Sequence, residues 1–286
     1  MYDGYTEATV GVILRFGGLV LVFALFAAEA AWAENITWVT SAQPVPNSGE
    51  TMDSGQLVYL TSHLPSFTHH VVRVSTARAY HELEHGGGVC KVGVLLSPER
   101  QRFATFAVRH MMLPGFQLLV RKERVAALAP AVVKGEVALD KLAALPGEMG
   151  AYTHLRHYDS AIADFIQAHD GSSLTNVVAT PLLFNLMQAE RIDYAFVLPM
   201  DVYFYSDQAA REKLAVLPIK GATPWAEASV ACSSDQSGKD VIRAVDALLA
   251  DDGRWAEFVE PLRKWTPPEQ YPALLAGHPS NMNGVP

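Results

Sequence analysis

The chain contains two cysteines, Cys90 and Cys232, and their pairing would constrain its topology more than any other feature of the sequence. Disulfides persist in exported proteins, so an even number of cysteines in an exported chain predicts a bridge. Such a bridge would place two distant segments of the chain side by side. The alternative is a pair of unrelated buried thiols, since free cysteine is also common in protein cores.

The N-terminal segment has the features of an export signal. Residues 16–28 are uncharged and apolar, Arg15 precedes them, and residues 31–33 have the small-x-small pattern of a cleavage site before Glu34. The apolar run is short for a span of about 30 Å of hydrocarbon. We therefore predict a signal peptide at residues 1–33 and a periplasmic location. Acidic residues make the leader less basic than usual, which leaves an uncleaved N-terminal anchor as the alternative.

Strand and helix patterns alternate along the rest of the chain. The order β-α-β-α-β is predicted within residues 36–95, and a second block of alternating elements follows between residues 117 and 197. After residue 224, a strand that ends at Cys232 leads into two amphipathic helices. This pattern predicts an α/β fold class.

The alternation and the cysteine pair together predict two lobes. If Cys232 lies beside Cys90, the chain leaves a first α/β block, builds a second one and returns to complete the first. Two hinge strands, near residues 121–122 and 221, would then cross between the lobes and flank a cleft suited to a small solute. The predicted segments are lobe 1 at residues 34–121 and 222–266, lobe 2 at residues 122–221, and a flexible C-terminal tail at residues 267–286.

The charge balance argues against nucleic acid as a partner. The chain has 22 basic and 30 acidic side chains and a formal net charge of -8. It contains no cluster of Lys and Arg that would mark a phosphate-binding surface.

Residues 87–122 resemble bacterial extracellular solute-binding proteins of family 3. They combine Cys90, the turn Ser97-Pro98-Glu99-Arg100, two phenylalanines and an apolar strand. The segment QAERIDY at 188–194 and the Lys264-Trp265 helix ending are similar to further signatures of that family. The resemblance implies a type II periplasmic-binding-protein-like fold with an interlobe cleft. Cys90 stands where transport members usually carry Asp, which suggests a divergent branch.

The resemblance also implies binding residues. In amino-acid-binding members the Arg of the turn clamps the ligand carboxylate, and Arg100 matches that position; a planar guanidinium suits a bidentate contact. Ser97 matches a hydrogen-bonding position, and Tyr152 and Thr153 lie where lobe 2 offers main-chain N–H groups to anions. The alternatives are a surface or interdomain salt bridge for Arg100 and a plain helix-entry turn for Tyr152 and Thr153.

The sequence departs from the family at the position that usually holds the ligand ammonium group. Leu198 stands in place of the expected acid, and the nearest acid is Asp201. An anion, a carboxylate or a peptide fragment is therefore a better expected ligand than a free α-amino acid. Tyr203 is a candidate for the cleft wall, although aromatic residues at this spacing are also typical of a core.

We accordingly predict a monomeric periplasmic protein, with no catalytic activity and no cofactor, that closes around a small anionic ligand. The resemblance to amino-acid ABC-transporter substrate-binding proteins implies an ABC permease, or else a membrane sensor, as the partner. The alternative is a non-transport accessory or sensory binding protein with a diverged cleft.

The motif HELEH at residues 81–85 favours a different class of function. On a helix, His81 and His85 would share one face and could bind zinc, with Glu82 as a general base. A zinc-dependent hydrolase is therefore a further alternative. Against it, glycines end the helix at the second His, and Lys91 occupies the place of a third ligand in the extended motif.

Overall fold

Two open β-sheets, each with helices packed against it, organise the described part of the chain. The structure is a computed structural model, and it describes residues 34–41 and 51–277. The predicted signal peptide at residues 1–33 lies outside the described residues, as do residues 278–286 of the predicted tail. No helix among the described residues is long and apolar enough to cross a membrane.

Strands and helices alternate as the sequence predicts, and the α/β class is confirmed. The strands are β1 (Glu34–Ser41), β2 (Phe67–Val74), β3 (Val89–Leu95), β4 (Ala104–Phe106), β5 (Met111–Pro114), β6 (Gln117–Arg121), β7 (Val132–Val133), β8 (Glu136–Val137), β9 (Gly150–Thr153), β10 (Leu174–Val177), β11 (Tyr194–Val197), β12 (Leu214–Leu217) and β13 (Trp225–Ser233). The helices are α1 (Ser54–His63), α2 (Thr76–His85), α3 (Leu139–Ala143), α4 (Ser160–His169), α5 (Thr180–Gln188), α6 (Pro199–Tyr205), α7 (Gln208–Glu212), α8 (Gln236–Leu249), α9 (Asp252–Val259) and α10 (Tyr271–Ala276).

Side-chain caps explain where several of these helices begin. Ser75 accepts a hydrogen bond from the main-chain N–H of Arg78 at the start of α2. Asp159, Asp235 and Asp251 cap α4, α8 and α9 in the same way. Each cap satisfies an N–H group that has no partner within its helix, which stabilises the helix by about 1 kcal/mol.

The two sheets divide the described chain into two lobes. In lobe 1 the strand order is β2-β1-β3-β13-β4, and β5 also pairs with β13. In lobe 2 the order is β10-β9-β11-β6-β12. The strands β1, β2 and β3 are parallel to one another, whereas β13 returns antiparallel to β3. A strand that comes late in the sequence therefore completes the sheet of the first lobe.

The predicted disulfide is confirmed. Cys232 lies directly opposite Cys90 in the register of β13 and β3, and their Cα atoms are 4.0 Å apart. Both cysteines are fully buried in the largest hydrophobic cluster, with Trp38 and Val230. The bridge closes a loop with a sequence separation of 142, which contains the whole of lobe 2.

The chain crosses between the lobes at other residues than the sequence predicts. Strand β6 already belongs to the lobe 2 sheet, so the first crossing lies at residues 115–116 and not at 121–122. The return lies between β12 and β13, around Thr223 and Pro224. The return lies close to the predicted residue 221, whereas the first crossing differs from the prediction because β6 pairs with β12 and with β11 and so belongs to lobe 2.

The two crossing segments touch each other at Gly115. Its main-chain N–H donates to the carbonyl of Pro224 over 2.8 Å. A Cβ atom at this position would lie 2.0 Å from the carbonyl oxygen of Thr223, so glycine is required by the close approach of the two backbones.

The C-terminal segment departs from the predicted flexible tail. Residues 267–277 include α10, whose side chains Tyr271 and Leu274 are buried. The indole N–H of Trp255 donates to the carbonyls of Leu274 and Leu275, over 3.3 and 3.0 Å. Apolar burial and this buried donor hold the segment against lobe 1, although its Pro and Gly content is typical of a loop.

Candidate functional site

A cavity of about 200 Å³ lies between the two lobes. On the lobe 1 side it is lined by residues at the start of α1, on α2, on β3 and at Arg100; on the lobe 2 side it is lined by residues 153–156 and by the N-terminal ends of α5 and α6. Helix N-termini and strand ends converge here, which is the usual place for a ligand in an α/β fold.

Three consecutive residues of β3 line this cavity, namely Lys91, Val92 and Gly93. In a regular strand only alternate side chains face the same side. The register between β3 and β13 shifts here: Lys91 pairs with Ala231 but Val94 pairs with Ser229, so β3 has one extra residue. Gly93 has a φ of +70°. A β-bulge at Val92 and Gly93 therefore turns this part of β3 towards the cleft.

Lys91 is a buried cation in this bulged strand. Its relative exposure is 7%, and its ammonium donates to the carbonyl of Val92 over 3.4 Å, which is a long hydrogen bond. No carboxylate of the described residues forms an ion pair with it. Lys91 was not identified as a binding residue from the sequence, although a lone Lys in an apolar buried strand is a usable signal.

Arg100, the predicted clamp, lines the cavity and is 7% exposed. Its Nη1 donates to the carbonyl of Leu95 and its Nη2 to the carbonyl of Leu155, each over 2.8 Å. The guanidinium also lies over the ring of Tyr80, 4.4 Å from the centroid. Burial lowers the pKa of Arg100. Leu95 belongs to lobe 1 and Leu155 to lobe 2, so Arg100 joins the lobes across the cleft.

Ser97 does not line this cavity. Its hydroxyl accepts a hydrogen bond from the main-chain N–H of Arg100 over 3.1 Å, which stabilises the turn. Ser97 thus positions the backbone of Arg100, and the hydroxyl is used within the turn.

Of the two predicted lobe 2 residues, Thr153 lines the cavity and Tyr152 does not. Thr153 lines the cavity, but its main-chain N–H donates to the hydroxyl of Tyr158 over 3.0 Å. Tyr152 lies outside the cavity lining, where its hydroxyl accepts from Asn176 over 3.1 Å. The two residues are neighbours on β9, so their side chains point to opposite faces of the sheet.

Tyr203 also lies outside the cavity lining. Arg211 packs over its ring, 5.2 Å from the centroid, in a separate surface pocket. Tyr205 lines the cavity instead. Residues two positions apart on a helix point about 200° away from each other, so Tyr203 and Tyr205 cannot face the same side.

Asp201, the acid nearest to the expected ammonium site, forms a buried ion pair with Arg156. Asp201 is 2% exposed and pairs with Arg156 at 2.9 Å, with a second contact at 3.3 Å. Asp201 also accepts from the main-chain N–H of Leu198 over 2.9 Å. Burial would lower the pKa of Arg156, but the charge of Asp201, the hydrogen bond to it and the nearby hydroxyls of Tyr158 and Tyr205 together outweigh burial, and the pKa lies above its ordinary value. Arg156 was not identified from the sequence.

The HELEH motif forms the C-terminal end of α2, on a helix as predicted. The rings of His81 and His85 stack with centroids 4.5 Å apart, and His85 donates to the carbonyl of His81 over 3.1 Å. Glu82 pairs with Arg78. No group of three His, Cys, Asp or Glu among the described residues is placed to hold a metal ion. The motif thus lacks a third ligand in this part of the chain.

Comparison with known proteins identifies the fold. No protein-family model matches the sequence, and no curated protein matches it. Solved structures do match. An amino acid ABC transporter substrate-binding protein from Streptococcus pneumoniae, bound to L-arginine, is 15% identical; the alignment covers 82% of this chain and 96% of that chain, with a TM-score of 0.61.

Two further matches are of other kinds. A histidine kinase sensor domain with similarity to periplasmic binding proteins is 13% identical over 82% of this chain and 95% of that chain, with a TM-score of 0.60. An ancestral amino-acid-binding protein, a precursor of cyclohexadienyl dehydratase, is 14% identical over 82% and 95%, with a TM-score of 0.61. The chain thus has the two-lobed fold of periplasmic binding proteins, as the sequence predicts.

Proposed function

We propose that this protein is an extracytoplasmic solute-binding protein that captures a small anionic or carboxylate-bearing ligand between its lobes. The observation that carries the proposal is the interlobe cavity, whose lining contains the basic side chains Lys91, Arg100 and Arg156. The acids in the same lining are Asp53 and Asp201. Because the basic groups outnumber the acidic ones in a chain that is acidic overall, the cavity favours an anion.

The lobes would close around the ligand by rotation about the crossing segments. These segments are held together by the contact between Gly115 and Pro224, which leaves few backbone bonds to change on opening. Arg100 uses two N–H groups for carbonyls, and a guanidinium has five, so N–H groups remain for a ligand. In the closed form Arg100 would contact both the ligand and lobe 2.

The partner would be an ABC permease, or a membrane sensor, that recognises the closed form. The fold is shared by transporter-linked binding proteins and by a sensor domain, which supports both kinds of partner. We further propose export through a cleaved leader at residues 1–33, a periplasmic location, and a monomeric chain without a cofactor or a catalytic role.

A second candidate is an accessory or sensory binding protein whose cleft has diverged from amino-acid binding. The ion pair of Arg156 with Asp201 favours this candidate, because the acid nearest to the expected ammonium site is paired within the protein and is not available to a ligand ammonium. The two candidates differ in whether a free small molecule binds with an affinity useful for transport.

The experiment is a thermal-shift screen of the purified chain against organic acids, amino acids, short peptides and phosphate. A ligand at 100 times its Kd stabilises the folded state by about 2.7 kcal/mol, which raises the midpoint measurably. We expect a carboxylate to raise the midpoint, and Arg100→Lys to weaken the shift because the bidentate geometry is lost.

The matched control for that variant is Arg243→Lys, on α8, at an exposed arginine that does not line the cavity. An equal loss of binding in both variants would contradict the assignment of the cleft. A folded protein whose midpoint moves with none of the compounds would favour the accessory protein over the transport protein.

A further inference from the structure

We propose that Lys91 is the principal anion-binding group of the cleft, and that its ligand is a small organic acid with an apolar body and no ammonium group. This inference rests on the proposed function, because it names the class of ligand that the interlobe cavity would take. It differs from the sequence-based expectation, in which Arg100 alone clamps the carboxylate.

The ammonium group of Lys91 is buried and has few hydrogen-bond partners. It carries three N–H donors, yet it makes one long hydrogen bond, to the carbonyl of Val92 at 3.4 Å. It is also 7% exposed, so water cannot solvate it freely. A buried charge without a counter-ion is costly unless a partner arrives. A ligand carboxylate in the cavity would supply that partner.

The backbone around Lys91 is held in place on both sides. Cys90, its neighbour, is tied to Cys232 by the disulfide. The bulge at Gly93 follows on its other side and turns this stretch of β3 to the cavity. A binding group on a sheet with fixed neighbours is held in place before the ligand arrives, which lowers the entropy cost of binding.

The other charged residues of the cavity already have partners within the protein. Arg156 and Asp201 neutralise each other: Oδ1 of Asp201 accepts a hydrogen bond from Arg156, and Oδ2 lies 2.9 Å from the same guanidinium and accepts from the main-chain N–H of Leu198. Asp201 therefore has no free oxygen directed to a ligand cation without breaking that pair. Asp53 accepts hydrogen bonds on Oδ1 from the hydroxyls of Thr40 and Thr51, over 2.9 and 2.6 Å.

The remaining charges decide against an ammonium group. With Arg156 and Asp201 paired, Lys91 and Arg100 stand against Asp53 alone, so the cavity keeps one excess positive charge. A carboxylate balances that charge. A zwitterionic amino acid has no net charge and leaves the excess in place, and its ammonium could face only Asp53 among the acids of the lining, against the two cations Lys91 and Arg100.

The cavity is small, and much of its lining is apolar. A cavity of about 200 Å³ is smaller than the 300–1,000 Å³ typical of sites for drug-sized ligands, so the ligand is small. Methionine side chains adapt to ligands of differing shape. The apolar side chains that line it include Met52, Val92, Met111, Leu113, Met200 and Leu262.

The test compares matched ligands that differ only in the ammonium group. Isothermal titration calorimetry of the intact protein would use 4-methylpentanoate against leucine, and 3-phenylpropanoate against phenylalanine. We expect at least one of the two acids to bind more tightly than its amino-acid counterpart. We expect Lys91→Met to weaken that acid by roughly 10- to 100-fold, the effect of losing a charge-assisted hydrogen bond.

Two controls keep the result interpretable. Lys239→Met removes an exposed lysine that does not line the cavity, and its affinity for the acid should stay unchanged. Lys91→Met should fold at least as stably as the wild type without ligand, since it removes a buried charge that has no acidic partner. A lowered midpoint of the ligand-free variant would contradict that reading of Lys91.

The outcomes separate this inference from the proposed function. Tighter binding of leucine and phenylalanine than of the two acids would overturn the ligand class and leave a solute-binding protein. Tight binding of an acid that Lys91→Met does not weaken would overturn the role of Lys91 alone. No binding of any of the four compounds, by a protein that is folded by circular dichroism, would overturn the ligand class, whereas the proposed function fails only if the wider screen of organic acids, amino acids, peptides and phosphate also finds no ligand.

Discussion

The guanidinium of Arg100 donates a hydrogen bond to the main-chain carbonyl of Leu155, 2.8 Å away, on the other side of the interlobe cleft. Leu155 has a φ of +58°, a left-handed conformation that only a small share of non-glycine residues adopts. This conformation belongs to the segment that follows β9 and faces the cleft. The two residues together link the lobes directly, in addition to the crossing segments.

Replacing Arg100 by alanine should open the molecule. The variant loses the bond to Leu155 and the bond to Leu95, so the lobes lose a direct contact. We expect a larger radius of gyration in small-angle X-ray scattering, and a free energy of unfolding lower by about 1–3 kcal/mol. Arg243→Ala is the control. An unchanged scattering curve for Arg100→Ala would mean that this contact does not hold the lobes together.

Removal of the disulfide should lower stability strongly. The bridge between Cys90 and Cys232 closes a loop of 142 residues, and a loop of this size contributes about 4–5 kcal/mol in the chain-entropy model. We expect the double variant Cys90→Ala/Cys232→Ala to unfold at a clearly lower midpoint in denaturant. A reductant should destabilise the wild type and leave the double variant unaffected. If the reductant acts equally on both, the effect does not come from this bridge.

The bulge in β3 should depend on glycine at position 93. A Cβ at Gly93 would meet no atom within 4 Å, so the reason for glycine is the φ of +70° and not the available space. Left-handed conformations cost other residues roughly 1–2 kcal/mol, and we expect Gly93→Ala to lower the free energy of unfolding by about that amount. We also expect weaker ligand binding, since Lys91 and Val92 would turn.

The matched control for that substitution is Gly87→Ala. Gly87 has no positive φ, and the nearest atom to an added Cβ is 3.7 Å away. Its free energy of unfolding should change little. A similar loss in both variants would indicate a general effect of alanine and not strain at the bulge.

Stability at alkaline pH should depend on Tyr158. Burial raises the pKa of Tyr158 to about 12, whereas an unfolded tyrosine titrates near 10. The folded state therefore favours the neutral phenol, and this contribution is complete below pH 10. It is lost as the pH rises through about 12, because the unfolded chain releases the proton first.

Unfolding by urea at pH 9 and at pH 11 measures this effect. The loss of unfolding free energy between the two pH values should be smaller in Tyr158→Phe than in the wild type. Tyr203→Phe, at a half-buried tyrosine outside the cavity, serves for comparison. Equal losses in wild type and Tyr158→Phe would show that Tyr158 does not titrate with folding.

Local patterns in the sequence predicted most elements of the described chain. The order β-α-β-α-β within residues 36–95 is the one that the pattern predicts, and two helices follow the strand that contains Cys232, as expected. Such features depend on residues that are close in the sequence, so they can be recognised there. The Pro and Gly content near the C-terminus misled the prediction, because α10 is stabilised by contacts with α9 and not by its own composition.

The binding residues were predicted less well than the fold. Arg100 lies in the cleft as expected, but its hydrogen bonds to carbonyls in both lobes depend on how the lobes meet. Tyr203 faces away because the rotation of α6 is set by packing. Lys91 was missed because the bulge that turns residues 91–93 to the cavity arises from pairing with β13, and no local pattern shows which face of β3 meets the cleft.

The sequence by itself determined the α/β class, and it predicted the pairing of Cys90 with Cys232 and hence a chain that leaves lobe 1 and returns to it. These follow from the period of apolar residues and from two cysteines, which are properties that a linear chain carries. Only the tertiary structure decided where the chain crosses between lobes, which charges pair in the cleft and which are left alone. Those outcomes depend on strand register and on contacts between residues that are distant in the sequence, and neither is written in any local pattern.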